Sequence, residues 1–120
     1  MSTIAQHKNK IQNNKDFYDT FVINGSTNFP GWAIVVMFYI AVHWVELYFS
    51  KCHNTHNANH SERNRSLVND SNLSVIYSDY KRLYDWSRAA RYEAAVFSSA
   101  YVVKAMTRLN NIENHIATLI

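Results

Sequence analysis

The strongest constraint on this chain is an apolar run from Trp32 to Phe49 that carries a regular set of polar side chains. Their spacing of four, three and four residues places them on one face of a single helix. This polar seam consists of Tyr39, His43, Glu46 and Ser50. A helix that is apolar elsewhere is buried, so its seam must meet polar partners. The nearest candidates downstream are His60, Arg63 and Arg65.

The composition favours long helices joined by few tight turns. Only 2 Gly and 1 Pro occur in 120 residues, while 48% of the residues are hydrophobic. No segment of any length shows the alternation of a strand. The sequence therefore predicts an all-α protein, an up-and-down bundle of four to five helices that forms one domain over residues 1–120.

Apolar periodicity and turn residues divide the chain into five predicted helices. Ser2 is the predicted cap of the first helix, Pro30 suits the start of the second, and the residues from Asn69 to Asn72 form a break. The predicted helices cover about residues 2–22, 30–51, 61–69, 72–90 and 98–120. The last helix has an apolar seam that suits bundle or dimer packing, and with the small size this predicts a homodimer.

Two observations bear on the location of the protein. The single cysteine, Cys52, excludes an intramolecular disulfide, and no signal-peptide pattern is present at the start of the sequence. His43 and Glu46 interrupt the long apolar run, and a central acidic group costs about 2.5 to 3.5 kcal/mol on insertion scales. We therefore expect a cytoplasmic protein without a membrane partner, in which this run is a core helix.

The segment from Cys52 to His60 holds four potential zinc or copper ligands, but it has no second ligand group elsewhere in the chain. We therefore predict no metal and no cofactor. The net charge is +3, and half of the basic residues lie between Arg63 and Arg91, interleaved with tyrosines. This arrangement favours an anionic ligand on the central stretch, and a solvated helix face is the alternative.

Several enzyme classes lack their required residues. The sequence has no glycine-flanked serine, no phosphate-binding glycine loop and no acidic cluster for two metal ions. What remains is metal-independent chemistry by His and Arg, in which His transfers protons and Arg stabilises a phosphate. That pairing suits RNA cleavage through the 2′-hydroxyl.

Three segments together resemble the HEPN superfamily (higher eukaryotes and prokaryotes nucleotide-binding). They run from Phe38 to Glu46, from His60 to Asn64 and from Tyr80 to Tyr92. With Trp32 they follow the order W-x5-FY-x3-H-x2-E, H-x2-R and Y-x2-L-x3-S-x2-ARY, which is similar to small stand-alone bacterial members. The resemblance covers about residues 30–120.

The resemblance implies a helical bundle, frequent dimerisation and, in active members, metal-independent ribonucleases of toxin–antitoxin and phage-defence systems. We predict three groups of site residues: catalytic His60, Arg63 and Asn64; supporting Tyr39, His43 and Glu46; and binding Arg88, Arg91 and Tyr92, for which helix-end packing is the alternative role. The family motif continues from Arg to a His, but those positions hold Val68, Asn69 and Asp70 here. A literal match at Arg108 and His115 lies in the predicted C-terminal packing helix, and we interpret it as chance.

Two roles for Arg63 remain open. His60 and Arg63 could form a reversed catalytic pair, or Arg63 could neutralise Glu46 with His43 hydrogen-bonded alongside. Accordingly, two functions are considered: an RNA-directed protein, either a ribonuclease or a degenerate RNA or nucleotide binder, and a non-catalytic module that dimerises or docks onto a partner protein such as an antitoxin. An open basic cleft at Arg63 favours the first, and burial against Glu46 favours the second.

Overall fold

The computed structural model describes residues 3–93 and 95–120 and contains five α-helices. They are α1 (Ile4–Asp19), α2 (Pro30–Cys52), α3 (His60–Asn69), α4 (Tyr77–Tyr92) and α5 (Ser99–Ala117). A short 3₁₀ turn, Ser74–Ile76, leads into α4. The only extended pairing in these ranges is an isolated bridge between Ile23 and Ser26. The prediction of an all-α bundle is confirmed.

Helix α2 forms the centre of the bundle and packs against α1, α4 and α5. Its apolar side chains are buried on nearly every side, which is why the sequence run shows so little polar interruption. By length and composition α2 is the one helix in the described ranges that could cross a membrane. However, 72% of its most apolar window is buried inside the fold, as expected for the core helix of a soluble protein.

The apolar seam of α5 is covered within a single chain. Its five central residues are between 0 and 6% exposed: Val102, Ala105, Leu109, Ile112 and Ile116. They face α2 and α4 in the core. These five residues therefore pack within a single chain, and the homodimer stays a prediction.

The connection between α1 and α2 is a tight turn. Asn24 and Gly25 both have positive φ, 52° and 78°, and they are closed by backbone hydrogen bonds of 2.9 Å between Ile23 and Ser26. This is the geometry that an Asn-Gly pair adopts readily. Helix α1 ends at Asp19, three residues before the predicted end, because the chain already begins to turn there.

Side-chain caps define where α1 and α3 begin. Thr3 caps α1 in a capping box with Gln6, whereas the predicted cap Ser2 lies outside the described residues. Asn59 caps α3 by accepting a hydrogen bond from Glu62 N at 2.8 Å, so α3 begins at His60, one residue earlier than predicted. Helix α4 begins and ends later than predicted, and α5 stops short of the predicted end.

Candidate functional site

Glu46 and Arg63 form a buried ion pair between α2 and α3. Arg63 Nε donates to Glu46 Oε1 at 2.9 Å, and the two residues are only 7% and 1% exposed. Glu46 Oε2 accepts from the backbone N–H of Asn57 at 3.2 Å, and Ser66 Oγ in turn donates to Asn57 Oδ1 at 2.7 Å. The carboxylate is thus satisfied at both oxygens, and Arg63 is directed into the protein rather than toward solvent.

His60 is the second partner of Arg63. Arg63 NH1 lies 3.0 Å from His60 Nδ1, and because a guanidinium can only donate, this nitrogen accepts. Burial lowers the pKa of His60, and the nearby charges of Arg63, Arg91 and Arg88 lower it further. The ring packs against Phe38, so His60 is a neutral, half-buried imidazole with one nitrogen occupied.

A second histidine contact lies where the seam meets α1. His43 Nδ1 is 3.1 Å from His7 Nδ1, and the ring of His7 stacks on His56 with centroids 5.5 Å apart. Burial, followed by the charges of His7 and Lys10, lowers the pKa of His43 to about 4. Sequence reasoning missed His7, although its position one turn before buried Ile11 placed it on the inner face of α1.

The third member of the seam, Tyr39, contacts α4. Arg91 NH1 donates to Tyr39 Oη at 2.8 Å, and the guanidinium also lies over the Tyr39 ring at 5.5 Å from its centroid. The polar seam therefore meets three different helices: Tyr39 contacts α4, His43 contacts α1 and Glu46 contacts α3. The fourth member, Ser50, is half-buried near the end of α2.

One face of α4 carries alternating arginines and tyrosines. Arg88 lies over the rings of Tyr84 and Tyr92 at 5.8 and 5.9 Å, and Arg91 lies over Tyr92 at 4.8 Å. We call Tyr84, Arg88, Arg91 and Tyr92 the arginine–tyrosine surface. Arg88 is exposed and Tyr92 is 69% exposed, whereas Tyr84 and Arg91 are half-buried. Positive charge and flat aromatic faces are thus both available to solvent here.

Several buried polar atoms on α3 and α4 lack a hydrogen-bond partner among the described residues. They include Tyr80 Oη and Ser87 Oγ on α4 and Asn64 Oδ1 on α3. Burial raises the pKa of Tyr80 well above its usual value, so its hydroxyl stays protonated. The sequence placed Asn64 beside Arg63 as a catalytic residue, and the structure turns its side-chain oxygen inward.

Arg108 and His115, which match the family motif in α5, make separate contacts. Arg108 NH1 donates to Asp79 Oδ1 at 3.2 Å and lies 5.9 Å from the Trp86 ring centroid. His115 Nε2 instead contacts the backbone oxygen of Asn72. Each residue attaches α5 to a different part of the chain around α4, which agrees with a packing role.

The cysteine and histidines of the 52–60 segment are dispersed over several contacts. Cys52 Sγ lies 3.6 Å from the carbonyl oxygen of Leu119, and His53 Nε2 lies 3.1 Å from Asp70 Oδ2. His56 stacks on His7, and His60 contacts Arg63. Within residues 3–93 and 95–120, no three His, Cys, Asp or Glu side chains come together in a way that could hold a metal ion.

An open aromatic groove of about 610 Å³ runs between α1 and the first half of α2. Its rim carries three large exposed side chains, Phe17 at 56%, Phe29 at 56% and Trp32 at 62% exposure. Tyr39 and His43 of the polar seam also line it. A second groove of about 260 Å³ lies on the other side of Trp32 and reaches α4; its lining residues are Phe29, Gly31, Trp32, Val35, Ala90 and Arg91.

Comparisons of the chain with protein-family models, with curated proteins and with solved structures find no match.

Proposed function

We propose that this protein is a cytoplasmic, HEPN-like RNA-binding protein that holds single-stranded RNA on the arginine–tyrosine surface without cleaving it. The observation that carries the proposal is the exposed face of α4, where two arginines are sandwiched among aromatic rings. Arginines bind phosphates, and flat rings stack on unpaired bases, so this combination suits a single strand better than a duplex. A role in toxin–antitoxin or phage-defence systems follows from the family resemblance.

The burial of Arg63 and its ion pair with Glu46 favour a binding protein over a catalytic one. A phosphate-stabilising arginine must reach the scissile group, but Arg63 is 7% exposed and its Nε is bonded to Glu46. Freeing it would leave a buried carboxylate without its cation, at a cost of several kcal/mol. We therefore assign Arg63 and Glu46 to the folding of the domain, with His60 packed beside them.

The test is direct binding of a fluorescein-labelled single-stranded RNA, followed by fluorescence anisotropy. We expect the double variant Arg88→Gln/Arg91→Gln to lose most of the affinity. Arg82→Gln is the control for the removal of a single charge, because Arg82 lies two and a half turns before Arg91 and therefore on the opposite face of α4. An equal loss in the control variant, or no measurable binding by the native chain, would contradict the proposal.

The claim that the RNA is not cleaved is tested separately. Incubation of the protein with the same RNA, with EDTA or with Mg²⁺, is expected to leave full-length product on a denaturing gel. Fragments that form in EDTA, end in 2′,3′-cyclic phosphate and disappear in His60→Ala would show instead that this half-buried histidine acts in catalysis.

A second candidate function is a module that dimerises or docks onto a partner protein. Two observations favour it: Arg63 is buried against Glu46, and the aromatic groove is an exposed apolar patch of a kind that often marks interfaces. Light scattering at micromolar concentrations decides between the candidates for the isolated chain. A stable dimer that Trp32→Ala converts to a monomer would favour the second function.

A further inference from the structure

We propose that the aromatic groove is a nucleobase site: one unpaired base of a single strand stacks on Trp32, while the neighbouring phosphates contact Arg91 and Arg88. This inference rests on the proposed function and extends it from the surface of α4 to the groove between α1 and α2. It names a specific ligand, a single-stranded nucleic acid with at least one unstacked base. The aromatic groove and the arginine–tyrosine surface then form one binding site.

The first argument is the nature of the exposed side chains. Trp32, Phe29 and Phe17 leave more than half of their surface in water, although α1 and α2 bury other large apolar side chains. Aromatic rings at this exposure are available for stacking, and base stacking on a ring contributes about 1 to 3 kcal/mol. The groove volume of about 610 Å³ also falls within the range of roughly 300 to 1,000 Å³ found for small-ligand sites.

The second argument is continuity between the groove and the arginines. Trp32 and Phe29 line both grooves, and Arg91 lines the second. Tyr39 lines the aromatic groove and accepts a hydrogen bond from Arg91 at 2.8 Å, so the arginine is fixed beside the groove. A strand whose base enters the groove can therefore continue across Arg91 toward Arg88.

The third argument is charge. The described residues that line the two grooves include Lys10 and Arg91 and no Asp or Glu. A comparable surface pocket around Trp86 contains Asp79, which already pairs with Arg108. Cations without acidic neighbours complement an anionic backbone, and a purely apolar partner would leave them without a counterion.

The experiment compares two ligands that differ only in their bases. An oligouridylate of eight nucleotides and an oligomer of the same length made of abasic units carry the same phosphates. We expect the native chain to bind the oligouridylate about 5- to 150-fold more tightly, which is the range for one stacked base. Trp32→Ala is expected to reduce this preference by the contribution of one stacked base, while keeping the weaker affinity for the abasic oligomer.

Two further variants separate stacking from folding. Trp32→Phe keeps an aromatic ring and is expected to restore most of the preference for bases. Tyr101→Ala removes a partly exposed ring from α5, outside both grooves, and is expected to leave the preference unchanged. Thermal unfolding of each variant confirms that the chain is folded before its binding is interpreted.

The outcomes distinguish this inference from the proposed function. A preference for the oligouridylate that is unchanged in Trp32→Ala would overturn the groove as a base site and leave RNA binding by α4 intact. If neither oligomer binds, the proposed function fails and the inference fails with it. A concentration-dependent dimer that is lost in Trp32→Ala would also overturn the inference, because the groove would then be an interface between two copies of the chain.

Discussion

Arg63 and Arg91 both contact the polar seam of α2, but they differ in what they contact. Arg63 is bonded to a carboxylate, so its charge is neutralised inside the protein. Arg91 is bonded to the phenol of Tyr39 and to the backbone oxygen of Ser87, which are neutral groups. Its orientation is fixed, and it forms no ion pair with another of the described residues. An arginine that is hydrogen-bonded only to neutral groups keeps a charge that can still pair with an anion. An arginine that is already paired with a carboxylate does not.

The largest effect is expected from breaking the buried pair. Arg63→Ala leaves Glu46 buried without a cation and should lower the free energy of unfolding by about 3 to 5 kcal/mol. Glu46→Gln should act similarly, and the double variant should cost less than the sum of the two. Denaturant unfolding of the three variants measures this coupling, with Arg82→Ala as the exposed control. Small, additive losses would mean that Arg63 does not differ from the surface arginines.

The second prediction concerns acid. His43, His7 and His60 all have lowered pKa values in the fold, mainly through burial, and that of His43 is about 4. Between pH 6.5 and 4 the unfolded chain therefore binds more protons than the folded chain, so stability is complete above pH 6.5 and is lost as the pH falls. For His43 we expect a loss of about 1 to 2 kcal/mol, after allowing for solvent at the ring.

Urea unfolding at several pH values between 7 and 4 measures this loss. His43→Asn should flatten the acid limb of the stability profile. A profile that is equally steep in His43→Asn would show that the contact between α1 and α2 does not contribute to acid sensitivity. It would also mean that the buried histidines are not the source of the acid sensitivity.

The third prediction tests whether the surface arginines are available to phosphate. Each of Arg88→Gln and Arg91→Gln should reduce the salt dependence of RNA binding by about 0.7 in the slope of log affinity against log salt. At low salt this corresponds to a loss of roughly tenfold in affinity for each variant. Anisotropy titrations between 50 and 300 mM salt give the slope. An unchanged slope would indicate that these arginines contact no phosphate.

The smallest effect is expected from the neutral partner of Arg91. Tyr39→Phe removes the hydrogen bond to Arg91 but not its charge, so stability should fall by about 0.5 to 1.5 kcal/mol. RNA affinity should fall much less than in Arg91→Gln. If Tyr39→Phe and Arg91→Gln weaken binding equally, the position of Arg91, rather than its charge, limits the affinity.

Much of the fold was predictable because its signals are local. Pro30 at a helix start, the Asn24-Gly25 turn and the break after Asn69 each depend on residues close in sequence, and the helices begin and end near the predicted positions. The burial of Glu46 was also predictable, because a seam within an apolar helix must face the interior. The capping by Asn59 was missed, since a loop rich in asparagine offers several equivalent caps.

The partners of the seam were less predictable, because they depend on how the helices cross. Sequence reasoning grouped His43 with Arg63, but the structure directs His43 toward His7 on α1. Successive seam residues are rotated around α2, and that small rotation is enough to bring three different helices into contact with them. The aromatic groove was missed for the same reason, since its side chains come from α1, α2 and the turn between them.

The contact between His7 and His43 has a consequence for proton placement. Two neutral imidazoles that face each other through Nδ1 can share only one hydrogen there, so the two rings must be opposite tautomers. His7 Nε2 is buried without a partner among the described residues, and an acceptor is less costly than an N–H in that position. His7 then carries its hydrogen on Nδ1, and His43 carries its hydrogen on Nε2. His43 also lines the aromatic groove, so the ring hydrogen that the pair does not share belongs to a residue of that groove.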